Sequence, residues 1–212
     1  IDRYNGEGGL NTAFLTLGLK LFKKIGFGVT ANYEFGNLRH STTRFLENIE
    51  KASRIESNSS LSGINFVYSL LLREKISNKL TLHASFIQSP EFKLGSNNTQ
   101  TISTFSTSAN STLDQISVDL ASLNLEKTEI TVTQKQTFGL GVGQDTKWFF
   151  GAEYMKSEGG GLKNQLFNLN NVDYKKGSRI SIGGFYIPEY DSFTNYLNTI
   201  VYRLGIRIEK TG

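Results

Sequence analysis

The stretch YRLGIRIE, residues Tyr202 to Glu209, alternates apolar and polar residues without a break. One side of this stretch carries Tyr202, Leu204, Ile206 and Ile208, and the other carries Arg203, Gly205, Arg207 and Glu209. Because successive side chains of a β-strand point to opposite faces, the stretch predicts a strand with one aliphatic face and one charged face. The charged face needs water or charged partners beside it, and the aliphatic face needs an apolar environment.

Seven further stretches show the same period of two residues, which is the signal of a strand whose two faces meet different surroundings. They are residues 12–22, 27–36, 64–73, 80–86, 137–143, 148–155 and 179–187. Their aliphatic or aromatic face is almost free of charge, whereas glycine, threonine, asparagine and charged residues occupy the other face. The sequence therefore predicts an all-β chain of about eight strands.

Composition narrows the class of protein. The chain has 212 residues, 38% of them hydrophobic, and no cysteine, so a disulfide framework and a thiolate metal site are excluded. No window offers the roughly 18 consecutive apolar residues that a membrane-spanning helix needs. A net charge of +4 is too small an excess to imply a nucleic-acid partner. We expect residues 1–212 to be part of a single domain.

The connections between the predicted strands alternate between short and long. Tight turns are predicted near residues 23–24, 73–79 and 143–147, and the long polar runs 37–60, 89–131 and 157–176 are predicted to be surface loops. This alternation is typical of outer-membrane barrels. We therefore predict a transmembrane antiparallel up-and-down β-barrel in the outer membrane of a Gram-negative bacterium, in contact with membrane lipid and lipopolysaccharide. The alternative is a soluble β-sandwich or lipocalin-like barrel, whose apolar face would point inward.

In a barrel wall the polar face lines the lumen, and aromatic residues mark the two membrane interfaces. The lumen-facing candidates are Asn32, Glu34, His83, Glu153, Arg203, Arg207 and Glu209. The membrane-interface aromatics are Tyr33, Phe35, Trp148, Tyr186 and Tyr202. The charges at the end of the chain predict either a ladder that narrows a pore or a structural ion-pair network between neighbouring strands.

The sequence predicts no catalytic, metal or cofactor site. His83 and Ser85 lie two residues apart on one strand face, a poor geometry for proton transfer, so His83 is interpreted as a lumen-lining residue and the chain as not an enzyme. The run GLGVG (residues 139–143) lacks the third glycine of a dinucleotide-binding motif. Residues 113–127 carry apolar residues at helical spacing and predict a short amphipathic helix that either caps the barrel mouth or docks on a partner.

Three stretches, residues 6–37, 137–158 and 179–212, carry motifs in a recognisable order. The matching positions are Gly139, Gly141, Lys147, Trp148, Gly151, Ala152, Glu153 and Tyr154, then Gly183, Tyr186, Pro188, Tyr190, Ser192, Asn195, Tyr196, Tyr202, Arg203, Gly205 and Arg207. This order resembles the FadL/TodX outer-membrane transport family in its divergent Bacteroidota form. The resemblance implies a fourteen-stranded barrel with an N-terminal plug. The plug and the remaining strands are absent from this sequence and both of its ends look cut, so we expect a fragment of such a barrel.

Two functions are expected. The FadL resemblance implies passage of a hydrophobic small-molecule ligand across the outer membrane. The alternative is a non-transporting barrel subunit or scaffold, with protein partners in an outer-membrane secretion or assembly complex. A greasy interior pocket lined by Phe14, Phe149 and Phe185 would favour transport, whereas an interior filled with paired charges would favour the scaffold.

Overall fold

The computed structural model describes residues 1–22, 24–45, 49–106, 108, 111–159, 175–193 and 195–211. Strands make up 76% of these residues, and α1 (Tyr196–Thr199) is a single helical turn. The strands are β1 (Asp2–Leu21), β2 (Ile25–Phe45), β3 (Lys51–Lys75), β4 (Thr81–Ser89), β5 (Phe92–Ser106), β6 (Ser111–Ser117), β7 (Lys127–Val132), β8 (Lys135–Gln144), β9 (Trp148–Ser157), β10 (Gly177–Tyr186) and β11 (Tyr202–Lys210). Among the described residues, no helix is long and apolar enough to cross a membrane. The all-β prediction is confirmed.

Eight of the strands follow one another in a single antiparallel sheet, in the order β1-β2-β3-β4-β8-β9-β10-β11. The sheet curls into a half-barrel, and β1 and β11 form its two edges. Each of the eight alternating stretches of the sequence lies in a different one of these strands. The predicted strand order and the antiparallel meander are therefore confirmed.

β4 and β5 are two parts of one long line of chain, separated by a bulge. Tyr68 of β3 pairs with Gln88, and Ser62 pairs with Gly95, so the five residues 63–67 lie opposite the six residues 89–94. Pro90 lies in this interruption, where its missing N–H costs no ladder hydrogen bond. β7 and β8 are likewise two parts of one line, opposite β5 and β4.

The strand register gives the whole sheet one apolar face. A row of directly paired residues crosses the eight strands with only apolar or aromatic side chains: Leu19, Phe27, Leu70, Phe86, Phe138, Tyr154, Ile180 and Ile208. We call the side that carries this row the outer face and the opposite side the inner face. An adjacent inner-face row is Lys20, Gly26, Leu71, Ser85, Gly139, Glu153, Ser181 and Arg207. A slip of one residue would exchange the two faces, so this contrast fixes the register.

Most of residues 37–60 and 89–131 form strands, which corrects the prediction of long surface loops there. β2 runs to Phe45, β3 begins at Lys51, and β5, β6 and β7 fill most of the second run. The prediction failed because these segments are polar on both faces and show no apolar alternation. We call the part of the sheet made of residues 2–9, 36–45, 51–62, 92–106, 111–117 and 127–132 the strand extension.

Side-chain hydrogen bonds and a small core support the strand extension. The Ser59 hydroxyl donates to Asn98 Oδ1 at 2.7 Å, and Asn98 Nδ2 donates to the Thr128 hydroxyl at 2.8 Å. Below them, three fully buried side chains pack together: Leu61, Leu94 and Ile130. On β1, Gly8 has a φ of +121°, and a Cβ there would lie 2.1 Å from the Asn37 carbonyl oxygen. Only glycine tolerates this close approach.

Two further predictions concern connections. The amphipathic helix predicted over residues 113–127 is wrong, because Ser111–Ser117 form β6 and a turn follows. Leu120 is buried and accepts backbone hydrogen bonds from Leu125 at 2.9 Å and Glu126 at 3.2 Å, so its apolar side chain anchors a turn. The third predicted loop, residues 157–176, joins β9 to β10, and its residues 160–174 lie outside the described residues.

Candidate functional site: the inner face and the apolar band

The outer face is exposed and the inner face is the more sheltered side of the half-barrel. Outward side chains of the central strands are exposed by 38% at Phe27 and 65% at Leu140. Inward side chains such as Thr30 and Ser85 are half-buried, and Asn65 is buried. A soluble sandwich needs a second sheet packed over the apolar face. All the described strands belong to one sheet, and the apolar face is uncovered within it.

The outward apolar residues form a band about as tall as the hydrocarbon core of an outer membrane. On β2 the band runs from Ile25 to Phe35, which is about 34 Å along the strand at about 3.4 Å per residue. A strand tilt of about 40° reduces this length to a height of about 26 Å, close to the roughly 25 Å apolar band of outer-membrane barrels. Beyond Phe35, the outward positions of β2 become polar, beginning with Asn37 and Arg39.

All five predicted interface aromatics lie on the outer face, at the two ends of this band. Trp148, Tyr186 and Tyr202 are direct neighbours across β9, β10 and β11, beside the short connections. Tyr33 and Phe35 lie at the opposite end of the band and stack with their ring centroids 5.5 Å apart. Aromatic girdles at both interfaces are a property of outer-membrane barrels. The placement supports the interface role, which stays a prediction.

The seven predicted lumen residues all lie on the inner face, but they form two separate groups. His83 lies on β4, and four charged residues lie on β9 and β11: Glu153, Arg203, Arg207 and Glu209. Asn32 and Glu34 lie on β2, near the other edge of the sheet.

Charged residues of β9, β10 and β11 form ion pairs on the inner face, and we call this group the ion-pair ladder. Arg179 Nη2 donates to Glu153 Oε1 at 3.1 Å, and Arg207 forms an ion pair with Glu209. Arg179 lies directly opposite Glu209 in the register, so opposite charges alternate across the three strands. The buried Nε of Arg179 has no partner among the described residues. These contacts favour a structural ion-pair network over a charge ladder that narrows a pore.

His83 lies beside a floor of glycines. Its ring packs edge-on against Phe149 with the centroids 5.6 Å apart, and Phe149 stacks on Phe185 at 6.1 Å. A row of four paired glycines crosses the adjacent strands: Gly141, Gly151, Gly183 and Gly205. A Cβ at Gly141 would lie 2.3 Å from Phe149 Cζ, so packing of the phenyl ring explains the run GLGVG. The floor belongs to an inner cavity of about 470 Å³ that Glu153, Ser181 and Arg207 also line.

The second inner-face group is a network of amides and a carboxylate on β2 and β3. Asn32 Nδ2 donates to Asn65 Oδ1 at 2.8 Å, and Asn65 Nδ2 donates to Glu34 Oε1 at 3.1 Å. The Thr12 hydroxyl of β1 also donates to Glu34, at 2.5 Å. Phe14, which the transport hypothesis placed in a greasy pocket, is 72% exposed on β1. It lies five strands away from Phe149 and six strands away from Phe185 along the sheet, so the three do not form one pocket.

The list of lumen candidates omitted two inner-face residues, Arg179 and Asn65. Both lie within the alternating stretches, 179–187 and 64–73, opposite the apolar residues. The period of two residues therefore predicts the face of each residue, but not the partners that it binds. No group of three or more histidine, aspartate and glutamate side chains that could hold a metal ion occurs within the described part of the chain. That the chain is not an enzyme stays a prediction.

Comparison with known proteins gives one family and two solved structures. The BamG family model matches residues 1–212, the whole chain. A structure of the RagAB peptide transporter superposes with a TM-score of 0.48 at 14% identity, covering 91% of this chain and 21% of that chain. A structure of the RagAB peptide importer in the closed-closed state superposes with a TM-score of 0.43 at 13% identity, with the same coverage of 91% and 21%. The chain thus spans about a fifth of the solved structures that it resembles. No curated protein matches.

The resemblance to the FadL/TodX family is wrong, because a different family model covers every residue. The residues that suggested it are ones that a barrel wall needs in any case. Gly141 and Gly151 make room for Phe149, and Trp148 and Tyr186 lie at the end of the apolar band. The count of fourteen strands and the passage of a hydrophobic ligand were inferred from that resemblance and lose their basis with it. The chain belongs to the BamG family.

Proposed function

We propose that this chain forms part of the transmembrane wall of a scaffold subunit in an outer-membrane barrel-assembly complex. The family to which it belongs bears a name that refers to barrel assembly. The proposal replaces transport of hydrophobic molecules with the second function expected from the sequence. It also implies protein partners in an outer-membrane complex.

The observation that carries the scaffold role is the length of the strands. A strand needs about 9 to 11 residues to cross the apolar core of a membrane. β1, β2 and β3 have 20, 21 and 25 residues, about twice what crossing requires. The surplus is the strand extension, an ordered polar sheet that continues the barrel wall beyond the membrane and offers a rigid surface to other proteins.

The inner face supports the same proposal. Paired charges such as Arg179 with Glu153 occupy it, and Asn32, Asn65 and Glu34 bind one another farther along the sheet. A hydrophobic ligand passing along this wall would have to displace satisfied polar groups, which is unfavourable. In a scaffold these polar groups stay bonded to one another, so the same inner face carries no such unfavourable step.

Membrane insertion explains the outer face, and it sets a condition on the sheet edges. Lipid cannot satisfy unpaired backbone N–H and C=O groups, so a sheet in a bilayer has to close on itself. We propose that further strands, outside the 212 residues, pair with β1 and β11. In outer-membrane barrels the short turns face the periplasm and the longer connections face outward, which directs the strand extension away from the cell.

Purification under mild detergent tests the proposal. The full-length protein, tagged at its chromosomal locus, is expected to co-purify with the insertase of the barrel-assembly machinery in stoichiometric amounts. Depletion of the protein is expected to slow the folding of newly made outer-membrane proteins, measured by their heat-modifiable mobility on gels. A protein that purifies alone, and whose depletion leaves that folding unchanged, would refute the proposal.

A further inference from the structure

The outer face of the strand extension carries a cleft that the proposed function does not use. It has a volume of about 410 Å³. Three arginines line it, one from each of β1, β2 and β3: Arg3, Arg39 and Arg54. We call it the arginine cleft. Its other walls include Glu7, Glu56 and the ring of Phe105, which leaves one positive charge in excess.

The arginine cleft is on the same side of the sheet as the apolar band. The pairing of β1 with β2 and of β2 with β3 keeps one register from the turns to the far ends of the strands. Side chains an even number of residues apart on one strand therefore share a face. Arg39 shares the outer face with Phe35, and Arg54 shares it with Ile64. The cleft thus points toward the lipids that surround the barrel, and away from the lumen.

The height of the cleft above the band follows from the same spacing. Arg39 lies four residues beyond Phe35, and Thr43 lies eight residues beyond it. With the tilt and rise used for the band, these positions are about 10 and 20 Å beyond the hydrocarbon core. The headgroup layer of a bilayer is only about 5 to 8 Å deep on each side. The cleft therefore lies in the layer that, on the outer leaflet, contains the core sugars of lipopolysaccharide.

Two of the arginines have guanidinium nitrogens that are available to bind an anion. Arg54 Nε donates to the Thr43 hydroxyl at 3.3 Å, and its guanidinium lies 4.7 Å from the centroid of the Phe105 ring. These contacts fix the Arg54 side chain and leave its terminal nitrogens available. Arg3 flanks Thr43 on the other side in the register and makes no hydrogen bond or ion pair with the described residues. Arg39, by contrast, is paired with Glu56 at 3.3 Å.

We propose that the arginine cleft binds a phosphate group on the core sugars of lipopolysaccharide through Arg3 and Arg54. The planar fork of arginine matches the oxygens of a phosphate and is the side chain best suited to it. An outward, lipid-facing position favours a glycolipid over an acidic peptide of a protein partner. The inference rests on the membrane orientation in the proposed function.

Binding of fluorescent lipopolysaccharide to the full-length protein in nanodiscs tests the inference. Arg3→Gln and Arg54→Gln are each expected to weaken binding at least about tenfold, the effect of losing one charge-assisted contact. Arg44→Gln is the matched control, because Arg44 lies on the inner face of β2 and is paired with Asp2 at 3.0 Å. This hydrogen bond to Arg44 lowers the pKa of Asp2 below its usual value. The control is expected to bind as the wild type does.

Binding of two modified ligands identifies which part of lipopolysaccharide supplies the phosphate. Lipopolysaccharide with a dephosphorylated core, and lipid A without a core, are expected to bind the wild type as weakly as intact lipopolysaccharide binds Arg54→Gln. Equal binding by all protein variants or equal binding of lipid A would each overturn the inference, as would competition by an acidic peptide. Co-purification with the barrel-assembly machinery is scored separately on the same variants. If the wild type does not co-purify with the barrel-assembly machinery, the proposed function is refuted. If it does co-purify but the two arginine variants bind lipopolysaccharide as the wild type does, only the glycolipid site is refuted.

Discussion

Leu140→Arg places a charge in the middle of the apolar band. Leu140 lies on the outer face of β8, between Phe138 and Val142, and is 65% exposed. If its side chain meets acyl chains, an arginine at this depth costs about 2 to 4 kcal/mol. That cost corresponds to an equilibrium constant for folding about 30-fold to 900-fold lower.

The same substitution distinguishes the lipid-facing account from a water-facing one. An exposed leucine on a soluble surface can be replaced at a cost within about 0.5 kcal/mol. Ser85→Arg is the matched control, because Ser85 pairs with Gly139, next to Leu140, but lies on the inner face. Its arginine would point into the lumen, in the row that contains Glu153, and is expected to change stability by less than about 1 kcal/mol.

Urea titration of the full-length protein in phosphatidylcholine vesicles measures these free energies, with the folded fraction read from heat-modifiable mobility on gels. The expected result is a loss of at least about 2 kcal/mol for Leu140→Arg and a much smaller loss for Ser85→Arg. Equal effects of the two substitutions, or no effect of Leu140→Arg, would show that the outer face does not meet lipid.

Two further predictions concern the ion-pair ladder and the strand extension. Glu153→Gln removes the carboxylate partner of Arg179, and because both side chains are partly exposed we expect a loss of only about 1 kcal/mol. A double-mutant cycle with Arg179→Met measures the coupling, and a coupling of zero would contradict the network. Gly8→Ala forces a Cβ against the Asn37 carbonyl at a positive φ, so we expect a loss of about 1 to 3 kcal/mol in urea titrations. Gly6→Ala, with no atom within 4 Å of the new Cβ, is expected to be neutral, and equal effects of the two substitutions would contradict the close approach.

The eight strands of the main sheet could be predicted from the sequence, because their two faces differ in polarity and apolar residues therefore occur at every second position. Phe27, Leu70 and Phe138 are outward at every second position, and Gly28, Ser69 and Gly139 are inward. Such alternation reports which face of a strand is apolar and therefore also which residues share the inner face. It predicted the faces of the interface aromatics and of the lumen candidates in the same way.

The strand extension could not be predicted by that route. Ser57, Asn58 and Ser59 alternate between the two faces of β3, and all three are polar. No period of two residues therefore marks this part of the sequence as a strand. Their pairing depends on partners far away in the sequence, for example Gln100 Nε2 with the Ser57 hydroxyl at 2.9 Å. A polar run with serine and asparagine suggests a loop when only local sequence is considered.

The family assignment was the least predictable part. A barrel wall needs glycines such as Gly141 where an aromatic ring packs against the backbone. It needs aromatic residues such as Trp148 at the membrane interface. Motifs made of such residues recur in unrelated barrels, so their order is weak evidence for one family. The ion pair of Arg179 with Glu153 illustrates a second limit, because the alternation predicts the face of Glu153 but not its partner.

Spin-label accessibility along β4 tests most directly whether the outer face meets acyl chains. The 212 residues contain no cysteine, so single cysteines can be introduced at residues 82–87 of the full-length protein, in a cysteine-free background, and labelled in vesicles. If the outer face meets lipid, collision rates with oxygen, which concentrates in lipid, are high at Leu82, Ala84 and Phe86. The inner-face positions His83, Ser85 and Ile87 then show the opposite preference, for a water-soluble nickel chelate. Accessibility without this alternation, or nickel access at the three outer-face positions, would show that the outer face does not meet acyl chains.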